Sequence, residues 1–137
     1  MRAVVTRVNA AAVRIDGEVR GQIDRGYLIL LGIAPQDTEA DATRLAEKIV
    51  HLRVFSDAAG KMNLALEDVG GALLVVSQFT LYADLSSRRP GFSRPRSPRL
   101  PSRSTRVSWH IAALWAFALS TAVSAQICRS HRSMTGL

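Results

Sequence analysis

The chain has 137 residues, which is enough for one domain and too short for two. Its 47% hydrophobic content allows a core and argues against wholesale disorder. A single cysteine, Cys128, excludes an intramolecular disulfide and a zinc site built from several cysteines. No run of about 20 apolar residues predicts a membrane-spanning helix, and the first residues have no signal-peptide pattern. We therefore expect a cytoplasmic, soluble protein.

The net charge of +7 is divided unevenly along the chain. Residues 1–84 hold nine basic and all 11 acidic residues, whereas residues 85–137 hold nine arginines, no lysine and no acid. Charges of both signs are normally mixed in a globular domain. Three interpretations stay open for the second segment: a basic arm for nucleic acid, a disordered appendix, or a sequence that was never selected as protein.

The first predicted elements are strands. Residues 3–8 alternate weakly and predict one strand. Residues 12–15 predict a second strand, which the dipeptide Asp16-Gly17 joins to residues 18–23 in a tight hairpin. The continuous apolar run over residues 27–33 is typical of a strand that is buried on both faces.

An amphipathic helix is predicted over about residues 38–52, because apolar side chains recur there at helical spacing. Asp37 or Thr38 is the expected N-cap, and acidic residues follow in the first turn. His51 comes at the end of this helix, and we interpret it as a surface or capping residue rather than a ligand.

A second strongly apolar strand is predicted over residues 72–81, and polar residues interrupt its end. Alternation with a period of two would place Ser77 and Phe79 on one face and Gln78 and Thr80 on the other. Two interpretations are open at this point: a strand end whose polar groups are satisfied, or a site that faces a substrate.

Residues 77–81, Ser-Gln-Phe-Thr-Leu, resemble the S-Q-F-T-L signature of the D-aminoacyl-tRNA deacylase family, of the D-Tyr-tRNA deacylase type. Four further segments are similar to family segments and occur in the same order: residues 1–8, 16–19, 60–64 (G-K-M-N-L) and 88–92 (R-R-P-G-F). The resemblance covers about residues 1–94.

The resemblance implies an α/β fold of mixed, antiparallel-rich curved sheets with a packed helix, and a homodimer with its sites at the subunit interface. It implies hydrolysis of the ester of D-aminoacyl-tRNA, or of glycyl-tRNA mischarged on tRNA-Ala, which is chirality proofreading in translation. Aminoacyl-tRNA and a second copy of the chain are the implied partners. The resemblance implies no cofactor, no metal and no membrane.

By the same resemblance Thr80 is the catalytic residue, and Ser77, Gln78 and Phe79 bind the substrate. Three cations are candidate RNA contacts: Lys61, Arg88 and Arg89. For Lys61 a solvated turn lysine is an equally good interpretation. A threonine hydroxyl is a poor nucleophile without an adjacent base, and no base adjoins Thr80 in the sequence. Because an ester is already activated, positioning a water and binding the oxyanion can suffice, so we expect Thr80 to orient rather than attack.

The C-terminal part departs from the family pattern. The chain has no Gly-Pro pair, which in the family keeps L-amino acids out of the pocket, and no F-G-A-D-M-x-V strand. Shifting the reading frame by one base, with permitted synonymous codons, turns residues 101–110 into A-E-P-L-Y-A-R-F-V-A. The same shift over residues 119–137 yields F-G-A-D-M-Q-V and D-G-P.

We therefore expect an incomplete deacylase-like domain over residues 1–94. Residues 95–137 are expected to be a basic, poorly ordered tail that is read out of frame, with the shift at about codons 94–97. The alternatives are an inactive remnant, or a non-catalytic RNA-binding protein whose tail contacts phosphates.

Overall fold

The computed structural model describes residues 1–34, 36–92 and 125–128, the last four by their backbone alone. The elements in chain order are β1 Arg2–Val8, β2 Ala11–Ile15, β3 Glu18–Ile23, β4 Gly26–Gly32, α1 Glu39–Val50, β5 Phe55–Ser56, β6 Met62–Leu64, the 3₁₀ turn Glu67–Val69, β7 Ala72–Ser77, the 3₁₀ turn Phe79–Tyr82 and β8 Ala125–Cys128. The expected mixed α/β class with one packed helix is confirmed.

The central sheet has the strand order β1-β4-β7-β8. β1 runs antiparallel to β4, whereas β4, β7 and β8 are parallel to one another. The β2–β3 and β5–β6 pairs form two antiparallel hairpins. Apart from β8, the tail predicted over residues 95–137 lies outside the described residues. No helix in the described part of the chain is long and apolar enough to cross a bilayer.

The predicted hairpin between β2 and β3 is confirmed. Asp16 has a φ of 52° and Gly17 a φ of 85°, so both residues of the turn are left-handed. Consecutive left-handed residues match the twist of the flanking strands, and Asp-Gly is a favoured pair for this turn. The local sequence is therefore sufficient to set this connection.

The core lies between one face of the central sheet and α1. Tyr27, Ile29 and Leu31 of β4 point to this face and are buried, together with Ala46 and Ile49 of the helix. Leu28 and Leu30 on the opposite face of β4 are half-buried. The predicted strand is thus confirmed, but it is fully buried only on the helix side and half-buried on the other.

Helix α1 begins with a capping box. Thr38 is the N-cap: its hydroxyl accepts the Asp41 N–H at 3.3 Å, and its own N–H donates to the Asp41 carboxylate at 2.9 Å. The other candidate, Asp37, instead accepts the Ala34 N–H at 2.6 Å. At the other end His51 is an exposed C-cap, as predicted.

Replacing Thr38 with alanine is expected to destabilise the chain by about 1 kcal/mol, because the substitution leaves the Asp41 N–H without its acceptor. Thr43→Ala is the matched control, since the exposed Thr43 hydroxyl only returns to the Glu39 carbonyl within the helix. That control should stay within about 0.5 kcal/mol of the parent. Denaturant unfolding measures both, and equal losses would contradict the capping role.

The same capping box makes the stability of the fold depend on pH. Hydrogen bonds from the Thr38 N–H and hydroxyl lower the pKa of Asp41 from its ordinary 3.8. The ionised Asp41 carboxylate therefore stabilises the fold fully at pH values above its ordinary pKa. This stabilisation is lost as the pH falls through the lowered pKa of the folded chain.

The strand predicted over residues 72–81 is wrong in its second half. β7 ends at Ser77, and the chain then forms the 3₁₀ turn Phe79–Tyr82. The predicted division of residues 77–80 between two faces of a strand is therefore also wrong. A 3₁₀ turn has three residues per turn, so these side chains diverge instead of alternating.

Candidate functional site

The polar segment lies where the parallel strands β4 and β7 end at the same edge of the sheet. The Gln78 N–H extends the pairing by one residue, donating to the Leu31 carbonyl at 2.8 Å. The chain then reverses, and the Leu81 N–H donates back to the Gln78 carbonyl at 3.3 Å. This reversal forms the Phe79–Tyr82 turn.

Gly32, the last residue of β4, allows the turn to lie directly against the sheet. A Cβ at this position would lie 3.0 Å from the Leu81 Cβ and 3.2 Å from both the Gln78 oxygen and the Tyr82 Cδ2. These distances are shorter than ordinary contacts between such atoms. The close approach therefore depends on a residue without a side chain.

The hydroxyl of Thr80 is held by its neighbour. The Gln78 side-chain amide nitrogen donates a hydrogen bond to the Thr80 Oγ1, and both side chains are half-buried. A hydroxyl has two lone pairs and one proton, so Thr80 keeps one lone pair and its proton for another molecule. The amide is not a base, and this arrangement therefore orients the hydroxyl without activating it as a nucleophile.

Two backbone N–H groups open the turn that carries this hydroxyl. Within the described residues, the N–H groups of Phe79 and Thr80 have no acceptor, because they open the 3₁₀ turn. Ser77 precedes them and is exposed. Among all the residues that the structure describes, no group of three His, Cys, Asp or Glu side chains could hold a metal ion. The segment therefore offers hydrogen-bond donors and a held hydroxyl, which suits the binding of an oxygen that carries negative charge.

An aromatic pair flanks the segment. The Phe79 side chain is 70% exposed, and its ring lies edge-on to that of Phe92, with 6.0 Å between the centroids. Asp84 and Gly91 exchange two backbone hydrogen bonds of 2.8 Å, which close the intervening loop. This closure places Phe92 next to Phe79. The rings give the site an apolar side.

The structure separates the three candidate RNA contacts. Arg88 and Arg89 are exposed in the loop that Asp84 and Gly91 close, beside the aromatic pair. Lys61 is exposed in the β5–β6 hairpin, which packs at the other end of β4 through the stacking of Phe55 on Tyr27 at 5.2 Å. No described contact joins Lys61 to the segment 77–80.

One contact at the site was not predicted. From β1, the Arg2 guanidinium donates to the Leu81 carbonyl at 3.0 Å, and its central carbon lies 4.6 Å from the centre of the Tyr82 ring. An arginine near the start of a strand gives no sequence signal for such a contact. Gly32 within an apolar strand does give one, because an isolated glycine there often marks a close backbone approach.

A profile of the D-Tyr-tRNA(Tyr) deacylase family matches residues 4–111. A D-aminoacyl-tRNA deacylase of Vibrio cholerae is 55% identical over 104 residues, which are 75% of this chain and 72% of the relative. A D-aminoacyl-tRNA deacylase of Thermus aquaticus is 59% identical over 99 residues, which are 72% of this chain and 65% of the relative.

Two solved structures share the fold. One, a c-Myc DNA Unwinding Element Binding Protein, superposes with a TM-score of 0.77 and 29% identity, covering 96% of this chain and 87% of its own. The other, described as a probable eukaryotic D-amino acid tRNA deacylase, has a TM-score of 0.60 and 13% identity, covering 85% of this chain and 67% of its own, and shows likeness of fold alone. Since the family profile spans most of the chain and the bacterial relatives share more than half of the matched residues, the chain belongs to the D-Tyr-tRNA(Tyr) deacylase family of hydrolases.

Proposed function

We propose that this chain hydrolyses the ester bond of D-aminoacyl-tRNA, releasing free tRNA and the D-amino acid, and thereby proofreads chirality in the cytoplasm. Glycyl-tRNA mischarged on tRNA-Ala is proposed as a second substrate. The observation that carries the proposal is the Thr80 hydroxyl, which Gln78 holds in a turn whose first two N–H groups have no acceptor among the described residues. The names of the bacterial relatives support the same activity.

The proposed reaction begins with a water that attacks the ester carbonyl carbon. The remaining lone pair of the Thr80 hydroxyl accepts a hydrogen bond from this water and orients it. The N–H groups of Phe79 and Thr80 donate to the carbonyl oxygen as it becomes negatively charged. The attacking water gives up one proton as it adds, and the neighbouring 2′-hydroxyl of the substrate relays that proton to the ribose 3′ oxygen, which leaves when the tetrahedral intermediate collapses.

The substrate is proposed to lie along the exposed side of this turn. Ser77, Gln78 and Phe79 would contact the aminoacyl group and the terminal adenosine, and the exposed Phe79 ring offers a stacking surface for a base. Arg88 and Arg89 would contact the RNA backbone beside it. For Lys61 a phosphate contact remains a separate proposal, because its hairpin packs at the other end of β4.

Deacylation of D-Tyr-tRNA, L-Tyr-tRNA and glycyl-tRNA by the purified chain tests the function. We expect loss of the D-tyrosyl and glycyl esters and survival of the L-tyrosyl ester. If no ester is hydrolysed but tRNA binds with a steep salt dependence, a non-catalytic RNA-binding protein is favoured instead. If neither occurs, the chain is an inactive remnant.

A homodimer is also proposed, and exposed apolar side chains support it. Leu85 and Phe92 are 72% and 55% exposed, and both belong to the loop beside the site. Large apolar side chains exposed on one loop commonly mark an interface surface. A two-fold related copy would cover it with an identical patch.

Replacing Leu85 with arginine is expected to weaken dimerisation at least about 100-fold, because an unpaired charge would be buried in the interface. Val19→Arg is the control: Val19 is 48% exposed on β3, outside the loop. Sedimentation velocity over a concentration series measures both. If Leu85→Arg remains as dimeric as the control, the interface lies elsewhere.

We also propose that residues 95–137 are an out-of-frame reading of a family sequence. The absence of acids and lysines after Asp84 supports this proposal, as does the recovery of two family segments by a single shift. Sequencing the gene across codons 85–110 tests it. A gained or lost base would restore the Gly-Pro segment, whereas an intact frame would show that the tail is the encoded sequence.

A further inference from the structure

The turn that carries Thr80 is held from a strand that is distant in sequence. Arg2 of β1 donates to the Leu81 carbonyl at 3.0 Å, and its guanidinium lies 4.6 Å from the centre of the Tyr82 ring. These two residues directly follow Thr80. One cation therefore contacts both the backbone and the side chain of the segment that positions the hydroxyl.

The register of the sheet explains why Arg2 reaches this turn. Arg2 is paired with Gly32, the residue whose missing Cβ lets Leu81 and Tyr82 approach β4. The Arg2 side chain thus starts beside the gap that the turn fills. Among the described residues, no carboxylate lies within ion-pair distance of the Arg2 guanidinium.

We propose that Arg2 and Tyr82 form a clamp that positions Thr80, an inference that rests on the proposed hydrolysis. A four-residue 3₁₀ turn has few internal hydrogen bonds and opens easily unless outside contacts hold it. The guanidinium supplies a charge-assisted hydrogen bond and a cation–π contact. Arg2 and Tyr82 are positioning residues here, because they act through the backbone of the turn rather than on the ester.

Deacylation kinetics of Arg2→Met, Tyr82→Leu and the double variant test the clamp. Each single change should lower kcat about tenfold and leave KM for D-Tyr-tRNA unchanged, since small displacements of a reacting group are costly. The double variant should also lose about tenfold, because both residues act as one unit. Tyr82→Phe keeps the ring and should stay within about twofold of the parent. A double variant that loses about 100-fold would overturn the clamp.

Arg14→Met is the matched control, since Arg14 is exposed on β2 and belongs to a different sheet. It should leave kcat and the melting temperature unchanged. If Arg2→Met lowers kcat only in proportion to a loss of folded protein, the role of Arg2 is structural and the positioning role is overturned.

Amide hydrogen exchange separates this inference from the proposed function. Without the clamp, the peptide spanning residues 78–84 should exchange about tenfold faster, while helix α1 exchanges as before. If the parent chain has no deacylase activity, the proposed function fails, yet exchange still tests the clamp. Unchanged exchange in Arg2→Met would overturn the clamp, and faster exchange with unchanged kcat would overturn the positioning of Thr80.

Discussion

Thr80→Val is expected to lower kcat for D-Tyr-tRNA hydrolysis about 100-fold, the typical effect of removing one group that is aimed at the reacting atoms. Valine keeps the shape of threonine and removes only the hydroxyl that orients the water. The change also leaves the Gln78 amide without its acceptor. Single-turnover deacylation with excess enzyme measures the chemical step directly.

Thr80→Ser distinguishes an orienting hydroxyl from a nucleophile. Serine preserves the hydroxyl and loses a methyl group, so we expect activity within about tenfold of the parent and no covalent intermediate. A threonine nucleophile would instead form an aminoacyl ester, detectable as a mass increase on the peptide that contains residue 80 after rapid quenching. Such an ester would contradict the orienting role.

Thr6→Val is the control for both changes, because Thr6 is an exposed threonine on β1. The substitution makes the same chemical change away from the segment 77–80, and its activity should equal that of the parent. Full activity in Thr80→Val would remove the hydroxyl from the mechanism. Equal losses in Thr80→Val and Thr6→Val would show a general effect on the fold.

The fold was predictable wherever local chemistry decides the conformation. Asp16-Gly17 sets the hairpin because both positions need a positive φ, and the apolar spacing of α1 sets its buried face. The N-cap remained open between two residues because both can accept a helix N–H. The folded structure distinguishes them, because the Asp37 carboxylate accepts the Ala34 N–H and the Thr38 hydroxyl accepts the helix N–H.

The geometry of the candidate site was not predictable from the sequence, and the roles of its residues stay predictions. The polar interruption after Val76 coincides with the end of β7 at Ser77, yet no glycine or proline near Gln78 indicates that the chain reverses there. The turn depends on Gly32 of another strand and on Arg2 of a third, so no local pattern contains it. The assignment of residues 77–80 to two faces failed for this reason.

Gly26→Ala is expected to destabilise the fold by about 3 kcal/mol or more, because the new methyl group meets backbone rather than a flexible side chain. A Cβ on Gly26 would lie 1.9 Å from the carbonyl oxygen of Ala72 and 2.7 Å from its nitrogen. Ala72 opens β7 and is paired with Gly26 in the parallel register. Relief therefore requires separating β4 from β7 at the centre of the sheet.

Gly91→Ala separates this steric effect from a general cost of replacing glycine. A Cβ on Gly91 would lie 3.5 Å from the nearest atom, an ordinary contact, and its φ lies outside the left-handed region. We expect Gly91→Ala to melt within about 2 °C of the parent and Gly26→Ala to melt roughly 10 °C lower, or to accumulate as insoluble protein. Equal melting temperatures would mean that β4 and β7 can move apart without a loss of stability. The parallel pair would then not support the site at its end, because the Gln78 hydrogen bond to Leu31 continues that same pairing.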